Sequence, residues 1–195
     1  MKTSRNIVVR LVPYFLLALA LCFAGYSTVR AADDMPAVGI SAPDFTLSSQ
    51  EGTPVNLHDF RGQWVVLYFY PKDMSTGCTI EAHGFQNDLD KYQKKNAVIL
   101  GVSVDTVDSH KQFCAKDGLN FKLLADVNHD VVTKYGSVMT FGANTVAARN
   151  TFLINPKGQI VKEFVKVNPS AHSAEVLAAL DDLQKGANEQ RRSAQ

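Results

Sequence analysis

The chain has 195 residues, of which 46% are hydrophobic and 20% charged, a composition that fits one ordinary globular domain and excludes a disordered chain. Lysine and arginine number 20 against 19 aspartates and glutamates, so the net charge of +1 gives no general basic field for nucleic acid. The three cysteines are too few for a disulfide-rich scaffold and are not spaced as the paired ligands of a zinc site.

The N-terminus has the pattern of a secretory signal peptide. Lys2, Arg5 and Arg10 precede an apolar run over residues 11–24, shorter than the roughly 20 residues needed to span a membrane. Small residues before position 32 suit a signal peptidase. We therefore predict a signal peptide over residues 1–31, an exported protein of the bacterial periplasm, and one mature domain over 32–195. An uncleaved anchor is the alternative.

Cleavage after residue 31 would change both the charge and the cysteine count. The mature chain would carry 16 lysines and arginines against 19 acids, a net charge of −3, and would retain Cys78 and Cys114. Two thiols in an exported protein can form one disulfide, so this pair is the first candidate for chemistry.

The hydrophobic pattern of the mature chain predicts strands that alternate with helices. The predicted strands are 44–47 and 53–57, then 64–70, 97–104 and 121–124, and a closing hairpin of 149–154 with 159–165. The predicted helices are 76–94, 109–116, 130–135 and 173–184, followed by a polar tail, 186–195, expected to fray. This order predicts an α/β fold, a three-layer sandwich around a mixed sheet, with functional residues beyond the carboxyl ends of the strands.

Cys78 lies where such a sheet places functional residues. It follows the strand 64–70 by a short loop and opens the next helix, so backbone N–H groups and the helix dipole favour its thiolate form. Pro71 stiffens the loop, Gly77 allows close backbone approach, and Ser75 supplies a hydroxyl three residues before the sulfur. A buried, unreactive cysteine is the alternative, and these neighbours favour the reactive interpretation.

The segment from Pro71 to Cys78 resembles the peroxiredoxin signature of proline, three residues, threonine or serine, two residues and cysteine. Residues 38–47, 67–71 and 149–154 are also similar to this family, and most of all to its bacterioferritin-comigratory (Q-type) branch, here in an exported form. The resemblance implies a thioredoxin-like fold and a thiol-dependent peroxidase for hydrogen peroxide and organic hydroperoxides. It implies reduction by a thioredoxin-like donor, no cofactor, metal or nucleic acid, no stable membrane association after cleavage, and a monomer.

The same resemblance implies a role for each site residue. Cys78 would attack the terminal peroxide oxygen and become a sulfenic acid. Arg149 would stabilise the thiolate and the departing oxygen, and Glu81 would orient Arg149. Ser75, where the family usually has threonine, would hydrogen-bond the thiolate and the peroxide. Pro71 would shield the sulfur from over-oxidation.

The resolving cysteine departs from the commonest pattern of this branch. Many members carry it five residues after the peroxidatic cysteine, where this chain has His83, expected on the surface and unable to form a disulfide. Other members carry it in the next helix, and Cys114 occupies such a place. The resemblance therefore implies resolution by Cys114 after local unwinding of one or both helices. A single-cysteine peroxidase, with Cys114 as a packing residue, is the alternative.

Three other functions share parts of this pattern. A disulfide oxidoreductase of the same fold needs a second cysteine at the position of Glu81, and a copper chaperone needs one at the position of Ala82. A redox sensor that signals through a Cys78–Cys114 disulfide stays open, because only turnover distinguishes it from an enzyme. The remaining histidines are expected to be solvated or helix-capping; they are His58, His110, His129 and His172.

Overall fold

A computed structural model describes residues 35–193, and the predicted signal peptide lies outside this range. The strands are β1 (Thr46–Ser49), β2 (Pro54–Asn56), β3 (Trp64–Phe69), β4 (Ala97–Ser103), β5 (Lys122–Ala125), β6 (Val138–Phe141), β7 (Asn144–Ala147), β8 (Asn150–Ile154) and β9 (Ile160–Val165). The α-helices are α1 (Thr76–Asn87), α2 (Leu89–Lys94), α3 (Val107–Asp117), α4 (Asp130–Lys134) and α5 (His172–Ser193).

Seven strands form one mixed sheet in the order β2-β1-β5-β4-β3-β8-β9. Strand β4 pairs in parallel with both β3 and β5, whereas β8 runs antiparallel to β3. All six residues of β3 are buried, as a continuous apolar run in a central strand requires. The order and pairing confirm the predicted mixed sheet and the thioredoxin-like α/β fold.

The two faces of β3 contribute to two separate cores. Side chains of a strand alternate between faces, and Tyr68 joins one hydrophobic cluster with Phe85 of α1, while Phe69 joins the other with Phe152 of β8. Each face of the sheet is therefore covered, which confirms the three-layer sandwich.

The carboxyl ends of β3 and β4 bring two loops together. The loop after β3 leads into α1, and the loop after β4 leads into α3. The backbone N–H of Asp73, in the first loop, donates to Oδ2 of Asp105, in the second, over 2.8 Å. The edge at which the sequence predicts functional residues is thus built from both loops.

Helix α3 has clear start and stop signals. The hydroxyl of Thr106 accepts a hydrogen bond from the backbone N–H of Ser109 at 3.3 Å, which caps the start of the helix. Gly118 ends it in the left-handed conformation (φ 66°), and its N–H donates to the carbonyl of Cys114. Cys114 consequently lies in the last turn of α3.

The secondary structure differs from the prediction in three places. The predicted helix 76–94 is two helices, because Asp88 leaves the helical region (φ −99°, ψ 4°) between α1 and α2. The tail predicted to fray from residue 186 continues α5 to residue 193, since its Ala, Glu, Gln and Arg residues are good helix formers. The hairpin of β6 and β7 was not predicted, because its mostly exposed residues lack a core-facing alternation.

No helix among residues 35–193 combines the length and the apolar character needed to cross a membrane.

Candidate active site

Cys78 is the third residue of α1 and its side chain is buried. Ser75 is the N-cap residue, with extended backbone (φ −75°, ψ 148°), and its carbonyl accepts the N–H of Thr79 at 2.9 Å. The N–H groups of the first helical turn have no intrahelical acceptor and carry the positive end of the helix dipole. The sulfur therefore lies where a negative charge is stabilised.

Arg149 lies directly against Cys78. Its Nη2 group donates to Sγ of Cys78 at 3.3 Å, and its Nη1 group forms an ion pair with Oε2 of Glu81. Burial lowers the pKa of Arg149, but the carboxylate of Glu81 and the sulfur of Cys78 raise it more, so the net pKa lies above the usual value. The guanidinium is consequently a fixed cation held between the thiol and the carboxylate.

Two features bring the guanidinium of Arg149 to Cys78: the pairing of β8 with β3, and the space left by the missing side chain of Gly77. Arg149 immediately precedes β8, which pairs with β3, the strand that leads to Cys78. A side-chain carbon added at Gly77 would lie 3.3 Å from Nη2 of Arg149 and 3.7 Å from Cγ of Pro169. Gly77 therefore leaves the space that the guanidinium needs on the first turn of α1.

Glu81 lies three residues after Cys78 on α1 and is buried. Its Oε1 atom has no hydrogen-bond partner within residues 35–193, which makes burial of the charged form costly. Burial raises the pKa of Glu81 to about 7, although the adjacent charge of Arg149 lowers it. The carboxyl group thus orients the guanidinium through its other oxygen.

Ser75 and Pro71 lie in the segment between β3 and α1, and neither forms a hydrogen bond to the thiol of Cys78. The hydroxyl of Ser75 donates to the carbonyl of Lys72 at 3.0 Å. A hydroxyl has one proton, so the expected hydrogen bond to a thiolate requires this group to rotate. Pro71 is half-buried and precedes the loop that carries Ser75.

A cleft of about 580 Å³ opens beside this loop. Its lining comes from Pro71, Lys72 and Ser75 of this loop, from Val104 and Asp105 after β4, and from the β6–β7 hairpin, whose apolar side chains include Met139 and Phe141. Phe141 is 70% exposed. The cleft therefore lies between the loop that joins β3 to α1 (residues 70–75, here called the catalytic loop) and exposed apolar side chains of the β6–β7 hairpin.

Cys114 lies apart from this group. Both Cys78 and Cys114 are free thiols, and Cys114 packs against the same core cluster from α3. Burial raises the pKa of Cys114 to about 12, and the charges of Asp73 and Glu51 act in the same direction. While α3 is folded, Cys114 is therefore protonated at neutral pH.

Two histidines contradict the expectation that they are solvated or capping. His110 is fully buried, and its Nδ1 lies 2.8 Å from Oδ2 of Asp73. His172 is also fully buried, with Nε2 2.8 Å from the hydroxyl of Thr151. Burial and, to a smaller extent, the charge of Arg149 together lower the pKa of His172 to about 4. His172 was misjudged because long-range packing, not local sequence, buries it.

The position of His110 in the sequence carried a usable signal. It lies three residues before the buried Phe113 on α3, so the two share the face that packs on the sheet. Asp73, which binds it, is a buried carboxylate in the catalytic loop that sequence reasoning did not single out. Within residues 35–193, no group of three or more His, Cys, Asp or Glu side chains is arranged to hold a metal ion.

Comparison with known proteins identifies the family. The model of the AhpC/TSA family matches residues 38–163, which include Cys78, Glu81, Cys114 and Arg149. The chain belongs to the AhpC/TSA family. The peroxiredoxin Bcp of Bacillus subtilis is 39% identical over 150 residues, which cover 75% of this chain and 96% of that protein.

Solved structures agree with this assignment. A mutant of PrxQ from Xylella fastidiosa superposes with a TM-score of 0.74 at 32% identity, covering 77% of this chain and 99% of that chain. The bacterioferritin comigratory protein of Xanthomonas campestris gives a TM-score of 0.70 at 36% identity, covering 75% and 98%. The chain is thus a peroxiredoxin of the Bcp or PrxQ type, a thiol peroxidase with a thioredoxin-like fold.

Proposed function

We propose that this chain is an exported peroxidase that uses Cys78 as its peroxidatic thiol and Cys114 as its resolving thiol. A thioredoxin-like donor then reduces the disulfide, and the mature domain, residues 32–195, works as a monomer without a cofactor. The observation that carries the proposal is the placement of Arg149, which contacts both Sγ of Cys78 and the carboxylate of Glu81.

The first step is attack on the peroxide. The thiolate of Cys78 bonds to the terminal oxygen, the O–O bond breaks, and the departing oxygen takes a proton to leave as water or an alcohol. Negative charge moves from the sulfur to the departing oxygen, and Arg149 stabilises it at both positions. Glu81 holds the guanidinium in place. Once its hydroxyl rotates, Ser75 donates a hydrogen bond to the peroxide or accepts one from it.

The cleft beside the catalytic loop suits organic hydroperoxides. Its lining includes Met139 and Phe141, apolar side chains that gain free energy by covering the carbon tail of a substrate. Pro71, which also lines the cleft, shields the sulfur from a second peroxide. The Xanthomonas relative is described as having alkyl peroxide reduction activity, which supports the same substrate class here.

Phe141→Ser tests the role of the cleft. We expect kcat/KM for cumene hydroperoxide to fall about fivefold, since an aromatic contact is lost, with little change for hydrogen peroxide. Val165→Ser is the matched control, because Val165 is also an exposed apolar residue but does not line the cleft. Equal losses for both peroxides would contradict the proposed tail contact.

Resolution by Cys114 requires α3 to open. Cys114 is the only cysteine other than Cys78 in the chain after position 31. Cys114 packs on the core from α3, a helix of 11 residues, and we expect a helix this short to leave the core as one unit. In the chain-entropy model, closing a loop of about 36 residues makes a disulfide worth roughly 4 kcal/mol relative to the unfolded chain. That free energy can offset the cost of unwinding.

The resolving role is tested by peroxide treatment and peptide mapping. We expect one Cys78–Cys114 linkage in the wild type, while Cys114→Ser accumulates sulfenic and then sulfinic acid at Cys78. If Cys114→Ser keeps full turnover with a thioredoxin-like donor, the enzyme works with one cysteine. If the linkage forms but no donor supports turnover, a redox-sensing disulfide protein becomes the better description.

Export rests on the N-terminal pattern of basic residues, a short apolar run and small residues at the cleavage position. Expression of the full chain in a bacterium, followed by fractionation and N-terminal sequencing, is the direct test. We expect a periplasmic product that begins at Ala32. A product that keeps its N-terminus and stays with the membrane would favour an uncleaved anchor.

A further inference from the structure

Asp73 of the catalytic loop binds helix α3 through a buried hydrogen-bond cluster. Its Oδ2 atom accepts the hydroxyl of Ser109 at 2.7 Å and lies 2.8 Å from Nδ1 of His110, while Oδ1 accepts the hydroxyl of Tyr70 at 2.7 Å. The side chains of His110 and Asp73 are 0% and 1% exposed. We call Asp73, Tyr70, Ser109 and His110 the Asp73 cluster.

The cluster joins the two parts of the molecule that carry the thiols. Asp73 lies five residues before Cys78, and His110 lies four residues, about one helical turn, before Cys114. Hydrogen bonds to a buried carboxylate are stronger than those between neutral groups, and leaving the carboxylate unpaired is costly. The cluster therefore resists any movement of the start of α3 away from the catalytic loop.

The C-terminal end of α3 and the residues that follow it contact α1. Nε2 of His83 lies 3.1 Å from Oδ1 of Asp117, and the backbone N–H of Asn120 donates to Oε1 of Gln86 at 2.7 Å. These contacts are more exposed than the Asp73 cluster, since the side chain of His83 is 47% exposed. The strong attachment of α3 is thus at its start, beside the catalytic loop.

We propose that the Asp73 cluster is a latch that sets how fast α3 opens, and so how long Cys78 stays a sulfenic acid. Ser109 and His110 are then positioning residues that act through α3. This inference rests on the proposed role of Cys114. In resolution, Sγ of Cys114 bonds to Sγ of Cys78, the S–O bond breaks, and the hydroxide leaves with the thiol proton as water.

Over-oxidation is the competing reaction. A second peroxide transfers an oxygen atom to the sulfenic sulfur of Cys78, which gives a sulfinic acid and releases water or an alcohol. A weaker latch favours resolution, because α3 opens more often, and a stronger one favours over-oxidation. The latch thereby determines the sensitivity of the enzyme to excess peroxide.

Ser109→Ala tests the latch with little risk to the fold. Ser109 is half-buried, alanine suits a helix, and only one donor to Asp73 is lost. Ser109→Thr retains the hydroxyl and should restore wild-type behaviour. Gln112→Ala, at an exposed position on the same helix, controls for helix propensity, and Val176→Ala, in the core of α5, controls for general loss of stability.

The first measurement is amide hydrogen exchange of the reduced purified protein. We expect Ser109→Ala to speed exchange in α3 about tenfold, because a hydrogen bond to a charged group is lost, while α5 exchanges as in the wild type. Gln112→Ala and Ser109→Thr should leave α3 near the wild-type rate. Unchanged exchange in α3 of Ser109→Ala would overturn the latch whether or not a disulfide forms.

The second measurement is a single turnover with one equivalent of hydrogen peroxide, quenched with an alkylating agent and analysed by peptide mass. We expect Ser109→Ala to form the Cys78–Cys114 linkage about tenfold faster and to yield less sulfinic acid in excess peroxide, whereas Val176→Ala changes neither. A wild-type linkage that forms no more slowly than in Ser109→Ala would overturn the latch. Absence of the linkage even in the wild type would overturn the proposed role of Cys114 and the control of resolution with it.

Discussion

Cys78 and Cys114 pack against the same core but have opposite electrostatic surroundings. Cys78 lies at the start of a helix, 3.3 Å from the guanidinium of Arg149. Cys114 lies at the end of a helix, where burial and the charges of Asp73 and Glu51 oppose ionisation. Both the helix dipole and the neighbouring charges therefore distinguish them. The comparison shows that positive charge lies beside Cys78, whereas the surroundings of Cys114 keep its thiol protonated.

Replacement of the reactive thiol should give the largest effect. Cys78→Ser keeps nearly the same volume, but a hydroxyl does not ionise near neutral pH, so we expect complete loss of peroxide turnover with an intact fold. The measurement is peroxide consumption in the presence of a thiol donor, with circular dichroism as the check on folding. Cys114→Ser is the matched control and should still consume one equivalent of peroxide. Turnover in Cys78→Ser would refute the assignment of this residue.

Removal of the cation beside Cys78 should reduce the difference in reactivity between the thiols of Cys78 and Cys114. For Arg149→Met we expect the rate of peroxide attack to fall by about 10²–10³, since one preorganised charge is lost. Alkylation of Cys78 at neutral pH should also be slower than in the wild type. Arg61→Met, which removes an exposed arginine just before β3, is the control. An alkylation rate of Arg149→Met that matches the wild type would contradict the role of the guanidinium.

Acid should remove the contribution that the buried side chain of His172 makes to the free energy of unfolding. The pKa of His172 is lowered to about 4 by burial and by the nearby charge of Arg149, against an ordinary value of 6.5. Its contribution is fully present above pH 6.5, because both states are then neutral, and it is lost as pH falls toward 4, since only the unfolded state takes the proton. For His172 alone this is a loss of about 3 kcal/mol in the free energy of unfolding. Glu81 acts in the opposite direction, because a carboxyl group whose pKa is raised to about 7 in the fold gives more stability as pH falls, so the contribution of His172 is measured against a variant that lacks it.

Urea unfolding between pH 4 and pH 7 measures this loss. The difference in the free energy of unfolding between the wild type and His172→Gln should change by about 3 kcal/mol across that window, whereas the difference between the wild type and His58→Gln, at an exposed position, should not change. Protection of β8, where Thr151 binds His172, should be lost before that of α3. A difference between the wild type and His172→Gln that is the same at pH 4 and at pH 7 would contradict the role of His172.

A small change on the first turn of α1 should give the smallest effect. In Gly77→Ala the new methyl group meets Nη2 of Arg149 at 3.3 Å, so the guanidinium must shift by a few tenths of an ångström. We expect kcat/KM for hydrogen peroxide to fall about threefold to tenfold, as catalysis depends on the placement of this charge. Gly84→Ala, on the same helix with its nearest neighbour at 3.6 Å, is the control. Equal activities in the two variants would show that the approach at Gly77 is not critical.

Local patterns in the sequence determined the elements that carry Cys78. The continuous apolar run of β3, the proline of the loop and the helix that follows all depend on neighbouring residues, so they could be predicted without a structure. The start and stop of α3 were equally local, since Gly118 ends the helix that carries Cys114. The break at Asp88 and the length of α5 were not predicted, because a helix end depends on a few competing local contacts.

Long-range packing decided the rest of the site. Arg149 is 71 positions from Cys78, and only the resemblance to a family selected it, since the pairing of β8 with β3 is what brings it to the thiol. The burial of His110 against Asp73 likewise depends on two loops that meet at one edge of the sheet. Periodicity predicts which face of an element is buried, but it does not specify which distant side chain covers that face. For this reason the sequence alone determined where the reactive thiol lies, and the tertiary structure decided which charges surround it.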